Sequence, residues 1–173
     1  MSVRDSFSFR QRPHGPFKLL LRTPVPLFRW GLGGLFRERF LVLVHTGRHT
    51  GRMRHTPLEV IAHTPPKKTG TNETSVDYIV CSAYGQKADW FRNIKASPAA
   101  EVWTGRKKWC PEQYFLSTEE GASVFRSYFA DHTKTAERLL NSLGKSHDGS
   151  EESLHRLATE LPMVRFRRQP AET

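Results

Sequence analysis

From residue 40 onward the chain alternates between short apolar runs and polar turns. "FLVLVHT" and "RHTPLEVIAHT" are β-branched apolar runs on either side of "GRHTGRM", a pattern that predicts a β-hairpin. "VDYIVCSA" is typical of a third strand, and "AAEVWTGRKKWCPEQYFL" predicts a second hairpin that turns at Thr104-Gly105. "PMVRFRR" predicts a last strand near the C-terminus.

Helix signals appear between and after these strands. Asp89 is placed as an N-cap, and Pro98 as the stop signal, of one short helix. Ser117 and Glu120 have the spacing of a capping box, and Gly144 is placed as the glycine that follows a helix end. "SEESLHRLATEL" is amphipathic. The order predicts an α+β fold that is mainly β, a compact antiparallel sheet or small barrel with peripheral helices.

The chain of 173 residues is long enough for one domain with a substantial hydrophobic core. We expect a flexible N-terminal arm at residues 1–16, one domain at 17–168 and a tail at 169–173. Within the domain the predicted parts are an amphipathic helical segment at 17–39, the barrel core at 40–117, helices at 118–160 and a closing strand at 162–168.

The segment at residues 17–36 mixes apolar and basic positions. The purely structural interpretation is a segment that packs on the body of the protein. The alternative is a helix lying in a membrane interface, because basic residues flank Phe28, Trp30 and Phe36. Neither a signal peptide nor an apolar stretch of membrane-spanning length is present in the sequence. We therefore expect a cytoplasmic protein, with peripheral membrane contact as the alternative.

Charge narrows the class of partner. The formal net charge is +10, which implies affinity for nucleic acid, an acidic membrane surface, or a ligand that carries phosphates or carboxylates. Cys81 and Cys110 have no framework spacing and are expected to be reduced. Charge alone does not choose among the three partners.

The loop of the first hairpin concentrates much of that charge. Arg48, Arg52 and Arg54 lie around Gly47 and Gly51, with threonine hydroxyls beside them. Glycines let a backbone approach a ligand closely, and guanidinium groups suit phosphate or carboxylate oxygens. The loop is either an anion cradle or a solvated hairpin tip, and its pattern is neither a Walker loop nor a dinucleotide fingerprint.

Other chemistries find little support in the sequence. The histidines of this region invite a metal hypothesis, but no H-E-x-x-H motif and no Asp or Cys partners at ligand spacing accompany them, so no metal site is predicted. "CSAYG" lacks nucleophile-elbow spacing, and no carboxylate pair for acid–base catalysis is evident. If the protein is an enzyme, a cofactor is expected to carry the chemistry.

A second polar and aromatic segment, "SAYGQKADWFRNIKASP", follows the third strand. Phe91 and Ile94 fit an amphipathic core face of the short helix. Asn93 is different, because a mediocre helix former in the middle of a helix needs a hydrogen-bonding reason.

Taken together, "LVLVHTGRHTGRMRHTPLEVI", "YIVCSA" and "ADWFRNIKASPAAEV" resemble the deazaflavin-dependent nitroreductase family over about residues 30–118. The resemblance implies a split β-barrel, FMN-binding-like, that binds reduced 8-hydroxy-5-deazaflavin (coenzyme F-420) and transfers a hydride to a small acceptor such as a quinone or nitro-compound. It implies cofactor-binding roles for Arg48, His49, Thr50, Arg54, His55, Thr56, Pro57, Leu58, Ser82, Ala83, Lys87, Asp89, Trp90 and Asn93. His49 and Ala83 depart from the basic residues found there in the family or some of its members, and Lys87 or Arg52 is a candidate to compensate for Ala83.

Several alternatives stay open at this point. FMN is the alternative cofactor, and the proton for the acceptor comes from water or from Tyr84. A different class, a basic nucleic-acid-binding barrel, is suggested by the charge and by Trp103, Trp109 and Tyr114, although the leading hypothesis expects no nucleic acid. A homodimer is also expected from the type of barrel.

Overall fold

The structure is a computed structural model that describes residues 39–64, 68–69, 72–73, 75–142 and 144–170. The predicted arm at 1–16, the helical segment up to residue 38 with its candidate membrane contact, and the last three residues of the tail lie outside the described residues.

Nine strands and three α-helices make up the described part of the chain. The strands are β1 (Phe40–Thr46), β2 (Met53–His63), β3 (Lys68–Thr69), β4 (Asn72–Glu73), β5 (Val76–Cys81), β6 (Glu101–Thr104), β7 (Lys107–Trp109), β8 (Glu112–Phe115) and β9 (Met163–Arg168). The helices are α1 (Asp89–Ala96), α2 (Thr118–Ser142) and α3 (Glu151–Glu160), and a 3₁₀ turn (Gly85–Lys87) precedes α1. One antiparallel sheet has the order β7-β6-β1-β2-β5-β9-β8, and β3 pairs with β4 alone.

The first predicted hairpin is confirmed as β1 and β2, which pair antiparallel from Phe40↔Glu59 to Thr46↔Met53. β1 is buried on both faces, which explains its continuous apolar run. Leu41 and Leu43 belong to the main core, whereas Val42 and Val44 pack with Trp103 on the other face.

The sheet curls until its two edges approach. Tyr78 on β5 and Trp109 on β7 have ring centroids 5.6 Å apart, although three strands separate β5 from β7 in the sheet. At the opposite edge, the Gln113 side chain on β8 accepts a hydrogen bond from the Ala99 N–H (2.9 Å) and donates one to the Ile94 carbonyl (2.9 Å). A flat sheet would hold these groups far apart, since neighbouring strands are about 4.8 Å from each other. The predicted α+β, mainly β split barrel is confirmed.

Besides the small cluster around Trp103, two larger hydrophobic clusters pack on the sheet. The main core is enclosed by the barrel and covered by α1, and Phe91 and Ile94 belong to it as predicted. The second cluster packs α2 and α3 against the other side of β9 and includes Leu157 and Met163. α2 bends at His132, whose backbone is non-helical (φ −136°, ψ 37°).

The second hairpin is confirmed only in part. β6 and β7 turn at Gly105, whose φ of +55° suits glycine. The interpretation of residues 99–116 as one hairpin is wrong for β8, which pairs with β9 at the opposite edge of the sheet. Pro111 lies between β7 and β8, and because proline has no N–H to donate it ends the ladder there.

The helix ends follow local signals closely. The Ser117 N–H donates to Glu120 Oε2 (2.9 Å) and the Glu120 N–H donates to Ser117 Oγ (3.2 Å), so the capping box is confirmed. Gly144 has φ +65° and follows α2 as predicted. Asp89 is not the N-cap, because α1 is preceded by Ala88 with no side-chain cap, and Asp89 is its first helical residue.

Candidate functional site

The β1–β2 loop folds back on itself through its own backbone. The Gly47 N–H donates to the Arg52 carbonyl (2.8 Å), and the Gly47 carbonyl accepts from the N–H groups of Thr50 (3.1 Å) and Gly51 (2.8 Å). Gly51 has φ +63°, a conformation that glycine adopts without steric cost. The loop is therefore a tight turn closed by its own backbone hydrogen bonds.

A cleft of about 270 Å³ separates this loop from α1, and we call it the loop cleft. Eight of the predicted cofactor-binding residues line it: Arg48, His49, Thr50, Arg54, Thr56, Asp89, Trp90 and Asn93. His45 and Gly47 complete the lining. Tertiary folding thus brings the two motifs into one concave site, although α1 lies more than 30 residues beyond the loop in the sequence.

Arg48 fastens the loop to α1. Its N–H and its Nη1 both donate to Asn93 Oδ1, at 3.1 and 2.9 Å. Its Nη2 lies 3.0 Å from Asp89 Oδ1, and its side chain is only 20% exposed. These contacts use much of the hydrogen-bonding capacity of the guanidinium, so Arg48 acts mainly as a brace between loop and helix.

Asn93 has the hydrogen-bonding reason that its position in a helix required. It is buried, and its Nδ2 lies 3.1 Å from His45 Nδ1. On the other side of the imidazole, His45 Nε2 lies 3.0 Å from Thr56 Oγ1. Burial lowers the pKa of His45 from 6.5 to about 4, with the cation of Arg54 contributing in the same direction. His45 is therefore neutral at physiological pH.

Arg54 differs from Arg48 in its protein contacts. Among the described residues its guanidinium has no hydrogen-bond or ion-pair partner, and it lines the loop cleft. A Cβ on Gly47 would lie 3.0 Å from Arg54 Nε and 3.0 Å from Thr50 Oγ1, so glycine keeps room for both polar groups. The one carboxylate of the lining, Asp89, is paired with Arg48. This arrangement favours the anion cradle over the solvated hairpin tip.

Three predicted residues on β2 do not line the loop cleft. His55 lies between Arg54 and Thr56, so strand alternation directs it to the opposite face, where its ring is 5.0 Å from that of Trp103. Pro57 follows the same alternation, and Leu58 packs against the main core. The period-two pattern of the strand could have separated His55 and Pro57 from Arg54 and Thr56, whereas Leu58 shares the face of Arg54 and Thr56 and lies further along the strand, over the main core.

The strand end after β5 also lies outside the lining of the loop cleft. Ser82 is fully buried, its Oγ donates to the Gly85 carbonyl (2.7 Å), and its N–H donates to the Pro162 carbonyl (2.9 Å). Ala83, Tyr84 and Lys87 are exposed. Cofactor contacts of Ser82, Ala83 and Lys87, and the role of Tyr84 as proton donor, stay predictions.

Sequence reasoning named Gly47 as part of the candidate anion cradle, but it missed His45 as a member of the site. His45 is the polar residue at an inward position of an otherwise apolar strand, two residues beyond Leu43. That signal pointed to a satisfied buried polar group, but its partner Asn93 lies 48 positions away. The contact could have been predicted by pairing His45 with Asn93, since both are polar residues at inward-facing positions.

The histidines do not converge. His45 is buried, His55 contacts Trp103, and His63 stacks on Tyr78 with centroids 6.2 Å apart. Within the described ranges no group of three His, Cys, Asp or Glu is arranged to hold a metal ion. In the same part of the chain no helix has the length and apolar character needed to span a membrane.

Of the three aromatic residues that suggested nucleic acid, Trp103 and Trp109 are used in packing, whereas Tyr114 is 42% exposed. Trp103 is 7% exposed, lies under Lys108 Nζ at 4.3 Å from its ring centre, and donates from Nε1 to Glu101. Trp109 donates to Thr104 Oγ1 (3.1 Å). Base stacking needs exposed ring faces, so this observation counts against the nucleic-acid interpretation.

Comparison with known proteins gives one family match, over residues 29–133, to the model of the F420H(2)-dependent quinone reductase family. No curated protein sequence matches. Among solved structures, one titled "Structure of F420-H2 Dependent Reductase (FDR-A)" is 17% identical, with 75% of this chain and 95% of that chain covered and a TM-score of 0.44.

Two further solved structures are similar at the same level. One is titled "domain-swapped dimer" (15% identity, 88% of this chain and 99% of that chain, TM-score 0.47). The other is a pyridoxamine 5'-phosphate oxidase-related, FMN binding protein from Nostoc punctiforme (12% identity, 91% of this chain and 82% of that chain, TM-score 0.41).

The family model covers more than half of the chain and includes both motifs of the loop cleft. The chain therefore belongs to the F420H(2)-dependent quinone reductase family and is an oxidoreductase whose cofactor is coenzyme F-420.

Proposed function

We propose that the loop cleft binds the anionic part of reduced coenzyme F-420, and that the enzyme passes reducing equivalents to a small quinone or nitro-compound. The observation that carries this proposal is the position of Arg54. It is an arginine without a protein partner among the described residues, in a cleft whose one carboxylate is paired with another arginine. Although Arg54 is exposed to solvent, the charge imbalance around it favours an anionic ligand.

The donor set of the loop cleft fits such a group. The phosphodiester and glutamate tail of the cofactor offer oxygen acceptors, and the cleft offers the guanidinium of Arg54 with the hydroxyls of Thr50 and Thr56. Its volume of about 270 Å³ suits a part of the cofactor, since pockets that enclose drug-sized ligands measure roughly 300–1,000 Å³. When bound, reduced F-420 supplies the hydride.

The protein's own residues then have separate tasks. Arg54 binds the anionic oxygens, and Gly47 leaves the space in which Arg54 and Thr50 sit. Arg48 holds the loop at a fixed distance from α1. Trp90, which is 8% exposed, gives the lining a rigid apolar wall. Alignment of this kind is the main contribution that a protein makes to hydride transfer.

Titration of the purified protein with F-420 and, separately, with FMN tests the proposal. We expect saturable fluorescence changes with F-420 that weaken as salt is raised, because an ionic contact is screened. Turnover with reduced F-420 and a benzoquinone or a nitroaromatic then identifies the class of acceptor. Binding of FMN in place of F-420, or F-420 binding that is insensitive to salt, would contradict the proposed site.

Two finer expectations stay predictions. Self-association is measured by the mass of the full chain in solution. Membrane contact through residues 17–36 is measured by co-sedimentation with anionic vesicles, compared with the same chain lacking that segment. Loss of vesicle binding in the shortened chain would support the contact.

A further inference from the structure

A chain of hydrogen bonds, buried between Asn93 and His45 and partly buried at its two ends, links Arg48, Asn93, His45 and Thr56, and we call it the polar relay. The direction of each hydrogen bond in the polar relay can be assigned by starting from Arg48. Arg48 donates twice to Asn93 Oδ1, once from N–H and once from Nη1. The amide oxygen of Asn93 is thereby fixed toward Arg48, so its Nδ2 faces His45 and must donate.

The donor at Asn93 sets the tautomer of His45. Because Nδ2 donates to His45 Nδ1 (3.1 Å), Nδ1 is the unprotonated nitrogen of the neutral ring. The ring proton is then on Nε2, which donates to Thr56 Oγ1 (3.0 Å). The opposite tautomer would place two N–H groups against each other at Asn93.

The last member of the polar relay is therefore a directed donor. Thr56 Oγ1 accepts from His45, and among the described residues it has no second partner. Its own hydrogen is free to rotate toward the loop cleft, which Thr56 lines. With one lone pair of Oγ1 taken by His45, the hydroxyl offers a ligand its hydrogen and its second lone pair, and the hydrogen suits an anionic oxygen.

We propose that His45 and Asn93 are positioning residues that orient the Thr56 hydroxyl to donate a hydrogen bond to an anionic oxygen of the cofactor. The proposal rests on the proposed function, in which the loop cleft binds F-420. It assigns Thr56 to direct contact with the ligand, and His45 and Asn93 to an indirect role through Thr56.

A double-mutant cycle on F-420 affinity tests the indirect role. Thr56→Val removes the hydroxyl and is expected to raise Kd about tenfold, the loss typical of one hydrogen bond to a charged group. Thr56→Ser is expected to retain most of the affinity. His45→Leu is expected to weaken binding in the wild-type background and to have little further effect in Thr56→Val, because it acts through that hydroxyl. Thr159→Val, on the far helix α3, is the control for the loss of a threonine hydroxyl.

The tautomer of His45 gives a readout that does not depend on the cofactor. In ¹⁵N NMR of the wild-type protein between pH 6 and 8, we expect His45 Nε2 to be protonated, Nδ1 to be unprotonated and neither to titrate. Arg54, His55 and Asp89 are the charged or titratable neighbours of the ring, and Arg54→Gln is expected to leave the tautomer unchanged.

The outcomes separate the two proposals. A protonated Nδ1, or additive effects of His45→Leu and Thr56→Val, would overturn the polar relay even if F-420 binds. Failure of F-420 to bind the wild-type protein would overturn the proposed function and, with it, the ligand role of Thr56. If His45→Leu does not fold, the NMR tautomer and the Thr56 variants still decide.

Discussion

Two arginine clusters of this protein, one on the β5–β9 ladder and one in the loop cleft, differ in charge balance. On the ladder, Arg167 forms a bidentate pair with Asp77 (2.7 and 2.9 Å). Arg165 lies between Asp77 (3.7 Å) and Glu120 (3.4 Å). Each cation has a carboxylate within reach, and the hydrogen bond from Arg167 lowers the pKa of Asp77. This cluster needs no ligand to complete it.

The loop cleft has the same residue type and the opposite balance. Arg48 takes the one carboxylate of the lining, and Arg54 has no acid partner in the described part of the chain. The difference teaches that arginine content does not mark a binding site by itself. An arginine marks one when the fold places it in a concave surface and leaves its charge uncompensated.

The largest expected effect comes from removing the uncompensated charge. Arg54→Gln should raise the Kd for F-420 roughly 10- to 100-fold, because a charge-assisted hydrogen bond contributes about 1.5–3 kcal/mol. The melting temperature should change little, since no protein contact is lost. Fluorescence titration and thermal unfolding measure the two effects.

The matched control for Arg54→Gln is Arg52→Gln, two positions away, which removes the same charge outside the lining of the cleft. Equal losses of affinity in both variants would show a general field effect in place of a contact. No loss in either variant would show that the cofactor binds elsewhere.

The next effect sharpens the role of the loop backbone. In Gly47→Ala the new Cβ would meet Arg54 Nε and Thr50 Oγ1, each at 3.0 Å, and both polar groups would have to shift away from it. We expect about a tenfold weaker F-420 affinity. Gly51→Ala is the control, because a Cβ there meets nothing within 4 Å but the φ of +63° is strained. It should lower stability by about 1 kcal/mol and leave affinity nearly unchanged; the reverse pattern would contradict the cradle.

A third effect concerns pH and the buried imidazole. The folded pKa of His45, about 4, is below its ordinary value of 6.5, so the unfolded chain takes up this proton first as pH falls. Stability is therefore lost as pH falls from 6.5 toward 4, about 2 kcal/mol from this group by pH 5. Denaturant unfolding of wild type and His45→Leu between pH 7.5 and 5 measures it. Parallel pH profiles would mean that His45 does not titrate abnormally.

The smallest effect belongs to the balanced cluster. Asp77→Asn should lower the free energy of unfolding by about 0.5–1 kcal/mol at pH 7 without changing F-420 affinity. Because the pKa of Asp77 lies below its ordinary value of 3.8, its stabilising contribution is present above that pH and is lost as pH falls through the lower folded value. Glu152→Gln, an exposed acid on α3, is the control for loss of one negative charge. A weakened affinity in Asp77→Asn would contradict the separation of the two clusters.

Local features of the fold were predictable because their causes are local. The β1–β2 hairpin, the capping box at Ser117 and the glycine at Gly144 each depend on residues a few positions apart. The pairing of strand β8 was not predictable, because its partner β9 lies about 50 residues away and nothing in "EQYF" specifies which edge of the sheet it joins. Long-range pairing depends on how the whole sheet closes.

The candidate site divides in the same way. The sequence by itself determined that a cationic, glycine-bearing loop and a helix carrying Asn93 exist, because periodicity and residue type encode both. Only the tertiary structure decided that Arg48 is bound to Asn93 and Asp89 while Arg54 has no such partner. The two arginines are alike in sequence; their difference arises because curling of the sheet brings α1 against one side of the loop, 45 positions away, and so compensates one charge and not the other.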